Sequence, residues 1–394
     1  MDYVDTSKIT IDKVLSENNV FRALKIMKHK KPSPGLDGVT AYELEEYWMA
    51  NRNYVLSGIK NGTYTPEMLV LFFRKKPGKK EKRKIAICTL MDQMIQHCIR
   101  MEVECYFLPS FHKNSFGFIK GKNTFSALDK CLDYLNEGLD TVVDADIKKF
   151  FDKVKHKIVI KKLREATDDE NLIELVNKYL KNPGVVYGRV YYNRIGLPQG
   201  SSFSPIFANM VLNELDWYLD RMDIKFVRYA DDLVMFSKNC VQAEKNMMLL
   251  NDYLENKLFL TLNTEKTSIC SGRDLEYLGY AFRRIDGRYK LDINDKLIAK
   301  MADKLEKHLR LDKNKEEFFD ILGGFNRGWV NYYSGIDRDK LKAIENMADM
   351  QTNSVLCTDK YLSNQIWNSL ADNKSFTAMT CWDDYLQEKG AYHE

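Results

Sequence analysis

Three aspartates at the ends of apolar segments are the residues of this sequence best suited to bind divalent cations. Asp231 and Asp232 are adjacent within "RYADDLVMF", and Asp146 ends the apolar segment "TVVDAD". Neighbouring carboxylates repel one another, and burial strengthens that repulsion, so either a positive charge or an exposed turn must accommodate them. If these segments are neighbouring strands of one sheet, the three carboxylates meet at one edge.

Carboxylate oxygens clustered in this way are typical ligands of Mg²⁺, which keeps further positions for water and substrate phosphates. Two such ions roughly 3.5–4 Å apart can bind both the attacking and the leaving oxygen of a phosphoryl transfer. The ions would also neutralise the clustered negative charge. Aspartate is common in turns for structural reasons, however, so the adjacent pair by itself favours an exposed turn.

Composition indicates a soluble globular chain of two or three subdomains, with 44% hydrophobic and 29% charged residues among 394. The net charge is only +4, yet eight of the eleven residues in "RKKPGKKEKRK" (74–84) are Lys or Arg, which predicts a local contact with an anion. No apolar window is long enough to span a membrane. The eight cysteines lack metal-ligand spacing and predict buried free thiols in a reducing cytoplasm.

The order of the elements predicts an α+β fold with an antiparallel sheet, because helices and strands mix without regular alternation. Apolar runs and turn signals predict strands near 68–76, 83–89, 141–146, 226–236 and 275–282. Helical spacing predicts helices over the first 30 residues, 90–108, 155–181, a segment starting after Ser204–Pro205, 241–258, and basic segments up to 348.

Four segments resemble, in order and spacing, the motifs of reverse transcriptases: "DADIKKFFD", "GLPQGSSFSPIFANMVLNELD", "RYADDLVMF" and "LNTEKTSI". More specifically, the chain is similar to the bacterial group II intron lineage in "KPSPGLDGVT", "KPGKKEKRKIAICTLMDQMIQHCIRMEVE", "NSFGFIKGKNTFSAL" and "GFNRGWVNYYSG". The resemblance covers roughly residues 20–335. It implies a right-hand polymerase of fingers, palm and helical thumb. The expected segments are an N-terminal helical segment (1–30), fingers (31–140), palm (141–282), thumb (283–348) and a C-terminal extension (349–394).

The resemblance implies that Asp146, Asp231 and Asp232 are the catalytic residues that bind two Mg²⁺ ions, for which Mn²⁺ can substitute. Asp144 is the alternative ligand on the first strand, because it shares a face with Asp146. By resemblance, Tyr229 lies near the primer end. Arg327 and Trp329, at the end of the thumb, are expected to contact nucleic acid, although their segment also fits a packed thumb core.

Six residues are expected by resemblance to contact the incoming nucleotide. The guanidinium of Arg83 suits the triphosphate, and Lys76 would add charge, although part of this basic run fits a solvated surface equally well. Phe151 falls where the family excludes the 2′-hydroxyl, with a core position as the alternative. Gln199 and Gly200 fit a substrate loop or simply the start of a helix. Lys266 fits a general acid toward pyrophosphate or a surface lysine.

These features predict an RNA-directed DNA polymerase that uses deoxynucleotides, an RNA template and a DNA primer, and oligomerisation is compatible with them. The chain lacks zinc-finger and HNH motifs, and "LPQGSSFSP" departs from the form usual in intron enzymes. We therefore expect a free-standing bacterial enzyme, similar to defence-associated reverse transcriptases that act with a dedicated noncoding RNA. The alternatives are an intron maturase, a catalytically inactive interaction protein, and a template-independent or protein-primed polymerase that uses a tail hydroxyl (Tyr361, Ser363, Tyr385 or Tyr392).

Overall fold

The structure is a computed structural model. It describes residues 8–75, 82–293, 295–309 and 315–325, and the positions 328, 332, 333, 336, 342, 344, 346–348 and 350–352. Lys76, Arg327, Trp329 and the tail hydroxyls named above therefore lie outside the described residues. The chain divides into two compact units, Met1–Cys270 and Ser271–Glu394. The predicted boundaries between fingers, palm and thumb stay predictions.

The first unit contains ten labelled helices and eight strands among its described residues. The helices are α1 (Ile11–Val14), α2 (Glu17–Lys30), α3 (Leu44–Lys60), α4 (Leu90–Phe107), α5 (Thr124–Asn136), α6 (Phe150–Lys153), α7 (His156–Ala166), α8 (Glu170–Lys181), α9 (Ser204–Arg221) and α10 (Cys240–Tyr253). The strands are β1 (Leu69–Lys75), β2 (Lys82–Ile87), β3 (Thr141–Asp146), β4 (Gly184–Val186), β5 (Arg189–Tyr191), β6 (Lys225–Tyr229), β7 (Asp232–Ser237) and β8 (Ser268–Ser271).

The strands that carry the aspartates are neighbours, as the sequence predicts. They form a four-stranded sheet in the order β6-β7-β3-β8, and β7 pairs antiparallel with both β6 and β3. The pairing sets Asp146 directly opposite Asp232 at the end of β3. Val142, Val143 and Leu233 are fully buried, so apolar packing on this sheet fixes the register that brings the acids together.

A second sheet, in the order β2-β1-β4-β5, contains the predicted hairpin of β1 and β2. Strand β4 joins β1 in parallel, with Leu69 opposite Gly184, and β5 turns back on β4 as the outer strand. One face of this sheet packs Leu69, Leu71 and Ala86 into a small core of its own. The sheet therefore connects the basic segment of the sequence to a hairpin more than 100 residues later.

Helix α4 lies in the centre of the main core and positions elements of both sheets. Its apolar residues at helical spacing are buried, as predicted: Leu90, Met94, Ile95, Cys98, Met101 and Val103. The Thr89 hydroxyl caps the helix by accepting from the Asp92 backbone N–H. Asp92, Gln96 and His97 of the same helix are buried as well, so α4 lies in the interior of the core on most of its sides.

The second unit begins with the antiparallel strands β9 (Glu276–Tyr277), β10 (Tyr280–Ile285) and β11 (Arg288–Asp292), followed by helices α11 (Asp295–Leu309) and α12 (Lys315–Phe325). Tyr333 is 7% exposed, and its hydroxyl donates to the Gly279 carbonyl at 3.1 Å. The Tyr332 hydroxyl donates to the Leu278 carbonyl at 2.7 Å. These two tyrosines of the "GWVNYY" segment thus pack against the β9–β10 turn, the core role considered for that segment.

The structure also corrects several expectations. The predicted helix over 155–181 is two helices, because α7 ends at Ala166 and Asp169 caps the start of α8 by accepting from the backbone N–H groups of Asn171 and Leu172. Helix α3 and the β4–β5 hairpin were not predicted. Cys105 and Cys240 are exposed, so these thiols are not buried as expected. No helix among the described residues has the length and apolar character needed to cross a bilayer.

A buried carboxylate connects helices α4 and α8 to the loop that follows α3. Asp92 is 1% exposed and accepts from the hydroxyls of Tyr64, at 2.6 Å, and Tyr179, at 2.9 Å. It also accepts from the Thr89 hydroxyl at 2.9 Å and the Glu67 backbone N–H at 3.0 Å. Burial raises the pKa of Asp92, and these four donors act in the opposite direction by stabilising the charged form.

We predict that Asp92→Ala lowers the free energy of unfolding by about 3 kcal/mol, because it leaves several buried donors without an acceptor. Urea denaturation of the full chain measures this. Glu45→Gln on the exposed surface of α3 is the matched control and should leave the unfolding midpoint unchanged. Equal midpoints for the two variants would show that Asp92 does not connect the helices.

Candidate active site

The paired aspartates lie at a two-residue turn between β6 and β7. Tyr229 and Asp232 are opposite each other at the ends of the two strands, so Ala230 and Asp231 form the connection. Ala230 has a φ of 58°, a left-handed conformation that tight hairpins require. The tight bend expected from the sequence is confirmed, and it presents both carboxyl groups at the sheet edge next to Asp146.

Asp146 is held by the turn after Leu262. Its carboxylate accepts from the Asn263 side-chain amide at 2.9 Å and from the Lys266 ammonium at 2.7 Å. The Asn263 backbone N–H donates to the Asp146 carbonyl at 2.8 Å, and the Asp146 backbone N–H donates to the Thr267 hydroxyl at 3.3 Å. Lys266 therefore lies beside a catalytic candidate, and its expected role as a general acid stays a prediction.

Burial and neighbouring acids raise the pKa of Asp231 and of Asp232. The pKa of Asp232 is raised to about 6. Burial away from water is the largest cause, and the charges of Asp231, Asp146 and Asp144 add to it. The pKa of Asp231 is raised mainly by desolvation, and the charges of Arg83 and Arg228 oppose the increase. Because the carboxylates destabilise one another's charged form, this edge favours the arrival of a cation.

A buried arginine lies beneath the aspartate turn. Arg228 is fully buried, and its guanidinium donates to Asp216 of α9 from Nε at 2.7 Å and also from Nη2. Its Nη1 donates to the Asn209 side chain at 2.9 Å and to the Ala230 carbonyl at 2.8 Å. The side chain thus connects helix α9 to the backbone of the turn, and its charge faces Asp231 from below.

The segment before α5 covers the other side of the turn. Its backbone lies along β6. The Arg228 backbone N–H donates to the Asn114 carbonyl at 2.9 Å, and the Phe116 backbone N–H donates to the Arg228 carbonyl at 2.8 Å. A Cβ at Gly117 would lie 2.3 Å from the Ala230 nitrogen, so no side chain fits there. The Asn209 amide donates to the Gly117 carbonyl at 2.8 Å and joins this segment to the arginine network.

A lysine holds the same segment in its bent path. The Lys122 ammonium donates to three backbone carbonyls, those of His112 at 3.1 Å, Lys113 at 2.9 Å and Ser115 at 2.7 Å. Desolvation lowers the pKa of Lys122, and the charge of Asp216 opposes that decrease. One ammonium thus satisfies carbonyls that the bend leaves without strand partners.

The loop with Gln199 and Gly200 packs against β2. The Ala86 N–H donates to the Gln199 carbonyl at 2.7 Å. Gly200 has a φ of 110°, and a Cβ there would lie 2.4 Å from the Ala86 carbonyl oxygen, so this glycine permits a close approach between backbones. Helix α9 starts at Ser204, whose hydroxyl donates to the Pro198 carbonyl at 2.8 Å. Ser204 is therefore the first helical residue, and Phe203 occupies the cap position expected for it.

Phe150 and Phe151 separate into two environments, as the sequence suggests. Phe150 is 1% exposed and belongs to the main core, whereas Phe151 is half-buried and its ring meets that of Phe150 edge to face. The Phe151 carbonyl accepts from the Leu197 N–H at 2.6 Å, which ties it to the Gln199 loop. Arg83 is exposed on β2, and its charge reaches Asp231.

The donor set suits divalent cations in its chemistry, because oxygen ligands and mutual repulsion both favour them. Among the described residues, however, no three acidic, histidine or cysteine side chains converge on one preformed metal position. The Lys266 ammonium contacts the Asp146 carboxylate at 2.7 Å. Asp146 and Asp231 could hold ions once Lys266 moves aside, which makes metal binding an exchange of one cation for another.

Four residues of this site were missed by the sequence reasoning: Arg228, Asp216, Asn209 and Gly117. Asp216 is the last residue of "GLPQGSSFSPIFANMVLNELD", and from α9 its side chain reaches Arg228 of β6. A charged residue inside an apolar strand, as in "FVRY", is the signal that predicts a buried ion pair, because an arginine there needs an anionic partner.

We predict that Arg228→Met or Asp216→Leu alone lowers the free energy of unfolding by about 3–5 kcal/mol, since each leaves an unpaired buried charge. The double variant Arg228→Met/Asp216→Leu should be more stable than either single variant. Urea denaturation of the three proteins tests this. Additive losses in the double variant would mean that the two side chains do not act as a pair.

We predict that Gly117→Ala lowers stability by about 1–3 kcal/mol, because the new methyl group overlaps the Ala230 backbone. Gly324→Ala is the control, since that helical glycine has open space at its Cβ position. Thermal unfolding and amide hydrogen exchange at residues 229–232 are the measurements. Faster exchange in the turn is expected only for Gly117→Ala, and unchanged protection there would contradict the close packing.

Comparison with known proteins agrees with this architecture. Residues 74–282 match the family described as reverse transcriptase (RNA-dependent DNA polymerase). Protein YkfC of Escherichia coli is 27% identical, over 65% of this chain and 77% of its own length. The group II intron-encoded protein LtrA of Lactococcus lactis is 29% identical, over 46% of this chain and 30% of its own length.

Among solved structures, a telomerase from Candida albicans in complex with a fragment of telomeric RNA is similar at 14% identity, with a TM-score of 0.47. The match covers 89% of this chain and 68% of the telomerase chain. At this level the likeness carries no functional information. The predicted resemblance to reverse transcriptases and the α+β right-hand polymerase fold are confirmed by the family match. With more than half of its residues matched, the chain belongs to the reverse transcriptase family.

Proposed function

We propose that this protein adds deoxynucleotides to a primer 3′-hydroxyl on an RNA template, with two Mg²⁺ ions bound by Asp146, Asp231 and Asp232. The observation that carries the proposal is the cross-strand pairing of Asp146 with Asp232, one residue from Asp231. The raised pKa of Asp231 and of Asp232 supports it, because uncompensated repulsion is what a bound cation relieves.

Each acid has a separate part in this proposal. Asp146 and Asp231 hold the ions, and Asp232 maintains the charge and geometry of the edge. When bound, the ions activate the 3′-hydroxyl and stabilise the charge on the leaving oxygen. Lys266 would act as a general acid by donating a proton from its ammonium to the departing pyrophosphate. Mn²⁺, which also prefers oxygen ligands, can replace Mg²⁺.

The nucleotide is positioned by residues from both sheets and the loop between them. Arg83 binds the triphosphate through its guanidinium, with Lys76 adding charge. Phe151 excludes the 2′-hydroxyl and so selects deoxynucleotides. Gln199 and Gly200 contact the sugar or the base from the loop that rests on β2. Tyr229, beside Asp232, lies near the primer end.

The natural template of the proposed enzyme is a dedicated noncoding RNA, and its role is antiphage defence in the cytoplasm. Sequence departures from intron enzymes support this proposal. The similarity to LtrA favours a second candidate, an intron-encoded reverse transcriptase with maturase activity. In both cases Arg327 and Trp329 would contact the template and primer. Protein-primed synthesis is the remaining alternative.

Primer extension on an RNA template with purified protein and Mg²⁺ tests the activity. We predict that Asp146→Asn or Asp231→Asn lowers the rate at least about 100-fold, because several kcal/mol of charge stabilisation are lost. Asp144→Asn, on the same face of β3, should keep most of the wild-type rate. Without added metal, the melting temperature of Asp231→Asn should equal or exceed that of wild type, since a repulsive charge is removed.

The pattern across variants decides between the readings. A large rate loss in Asp144→Asn with a mild one in Asp146→Asn would move the metal site along the strand. Sequencing of copurified RNA separates the two candidate roles, because a discrete noncoding RNA supports defence and intron RNA supports a maturase. DNA synthesis without any template would replace the RNA-directed proposal.

A further inference from the structure

The β4–β5 hairpin presents an unusual tyrosine to solvent. Its strands pair Val186 with Arg189, so Tyr187 and Gly188 form a two-residue turn. Both have positive φ, 49° and 73°. Such turns favour Asn-Gly, and a bulky aromatic residue in the left-handed region is strained. The Tyr187 side chain is nevertheless 97% exposed, so packing within the protein does not compensate for the strain. Strain of this kind suggests a function for the exposed ring.

Further aromatic and basic side chains surround Tyr187. Tyr192 is 72% exposed and Tyr191 is 44% exposed. Arg189 and Arg194 are exposed between and beside them. The chain has no acidic residue between Glu174 and Glu214, a stretch that contains Lys178, Lys181, Arg189 and Arg194. Along this segment, exposed tyrosines and arginines therefore alternate without an intervening acidic residue.

The same sheet links this surface to the candidate active site. Residues paired across neighbouring strands lie on the same face of a sheet, as do residues two apart in one strand. Arg83, Phe72 and Val190 therefore share one face of this sheet. The pairs that connect them are Arg74–Arg83, Val70–Val185 and Val185–Val190. Phe72 is 39% exposed and Val190 is 46% exposed. This face therefore runs from Arg83, whose charge reaches Asp231, to Val190 of the outer hairpin, whereas Arg189 and Tyr191 lie on the opposite face of the hairpin. Along the chain, Tyr192 lies only seven residues before Gln199.

We propose that this hairpin, residues 184–194, binds single-stranded RNA, namely the unpaired template that enters the active site. Exposed aromatic rings stack on bases of any sequence, while neighbouring arginines neutralise phosphates, and this combination is typical of surfaces for single strands. A duplex offers its bases no free faces, so the tyrosines select the unpaired strand. The role as template contact rests on the proposed polymerase function, whereas RNA binding by the hairpin does not.

The direct test is binding of a fluorescently labelled oligoadenylate RNA to the full chain, measured by anisotropy. Tyr187→Ala/Tyr192→Ala should bind at least about tenfold more weakly, because stacking is lost at two positions. Tyr187→Phe/Tyr192→Phe should bind like wild type, since the rings remain. Tyr54→Ala is the matched control, a tyrosine of α3 that is 78% exposed outside this sheet, and it should change nothing.

Salt dependence separates the arginines from the tyrosines. Arg189→Gln/Arg194→Gln should reduce the slope of log affinity against log salt by about 1.4, the value for two phosphate contacts on a single strand. The tyrosine variants should keep the wild-type slope. Equal binding by Tyr187→Ala/Tyr192→Ala and Tyr54→Ala would overturn the proposal. So would a loss of self-association in the tyrosine variant with RNA affinity intact, because the face would then bind a second copy.

Primer extension connects this surface to synthesis. On templates with a long unpaired 5′ segment, Tyr187→Ala/Tyr192→Ala should show a higher template KM than wild type. On a template with a single unpaired nucleotide, the two proteins should not differ. If wild type synthesises no DNA while the tyrosine variant still loses RNA affinity, the polymerase proposal fails and RNA binding by the hairpin stands.

Discussion

A positive charge buried beneath two neighbouring aspartates is the interaction on which the site depends. Arg228 has no exposed surface, and its guanidinium contacts Asp216, Asn209 and the Ala230 carbonyl. An unpaired arginine in this interior would be costly, so the carboxylate of α9 must face β6. The ion pair thereby fixes the position of the helix relative to the turn. It also places a cation near Asp231, whose pKa is raised mainly by burial.

Several cations share the task of stabilising the acidic edge, and each comes from a different element. Arg228 acts from the buried side of the aspartate turn, Arg83 acts from strand β2, and Lys266 contacts Asp146 from the turn after Leu262. The Lys266 ammonium contacts the Asp146 carboxylate directly, at 2.7 Å, whereas the charges of Arg83 and Arg228 act on Asp231. The pKa of Asp232 is still raised to about 6, so the compensation is incomplete.

The sequence predicts the parts of this site that follow from local pattern. The apolar runs that form β3 and β7 are bounded by Asp146 and Asp232, so the sequence predicts that these acids meet at one edge when the strands pair. The catalytic roles of these acids stay predictions. Contacts between residues that are distant in the sequence were not predictable in the same way. Local pattern does not show that Gly117 lies against Ala230, because that contact depends on how the segment before α5 crosses the end of β6.

The β4–β5 hairpin of the second sheet was likewise not predictable from local pattern. Strands β4 and β5 have three residues each, too few for a period to be recognised, and β4 pairs with β1 in parallel across more than 100 residues. The sequence predicts one continuous helix over 155–181 because apolar spacing persists on both sides of Asp169. Asp169 instead caps the start of a second helix, α8.

The two glycine contacts reveal why backbone proximity recurs around this site. At Gly117 the segment before α5 contacts the aspartate turn, and at Gly200 the loop with Gln199 and Gly200 contacts β2. In each case the absence of a Cβ lets one main chain lie directly on another. Main-chain contacts of this kind are stiffer than side-chain packing, because a peptide group has no rotamers with which to adjust. The aspartate turn and the loop with Gln199 and Gly200 are therefore positioned by direct contacts between backbones.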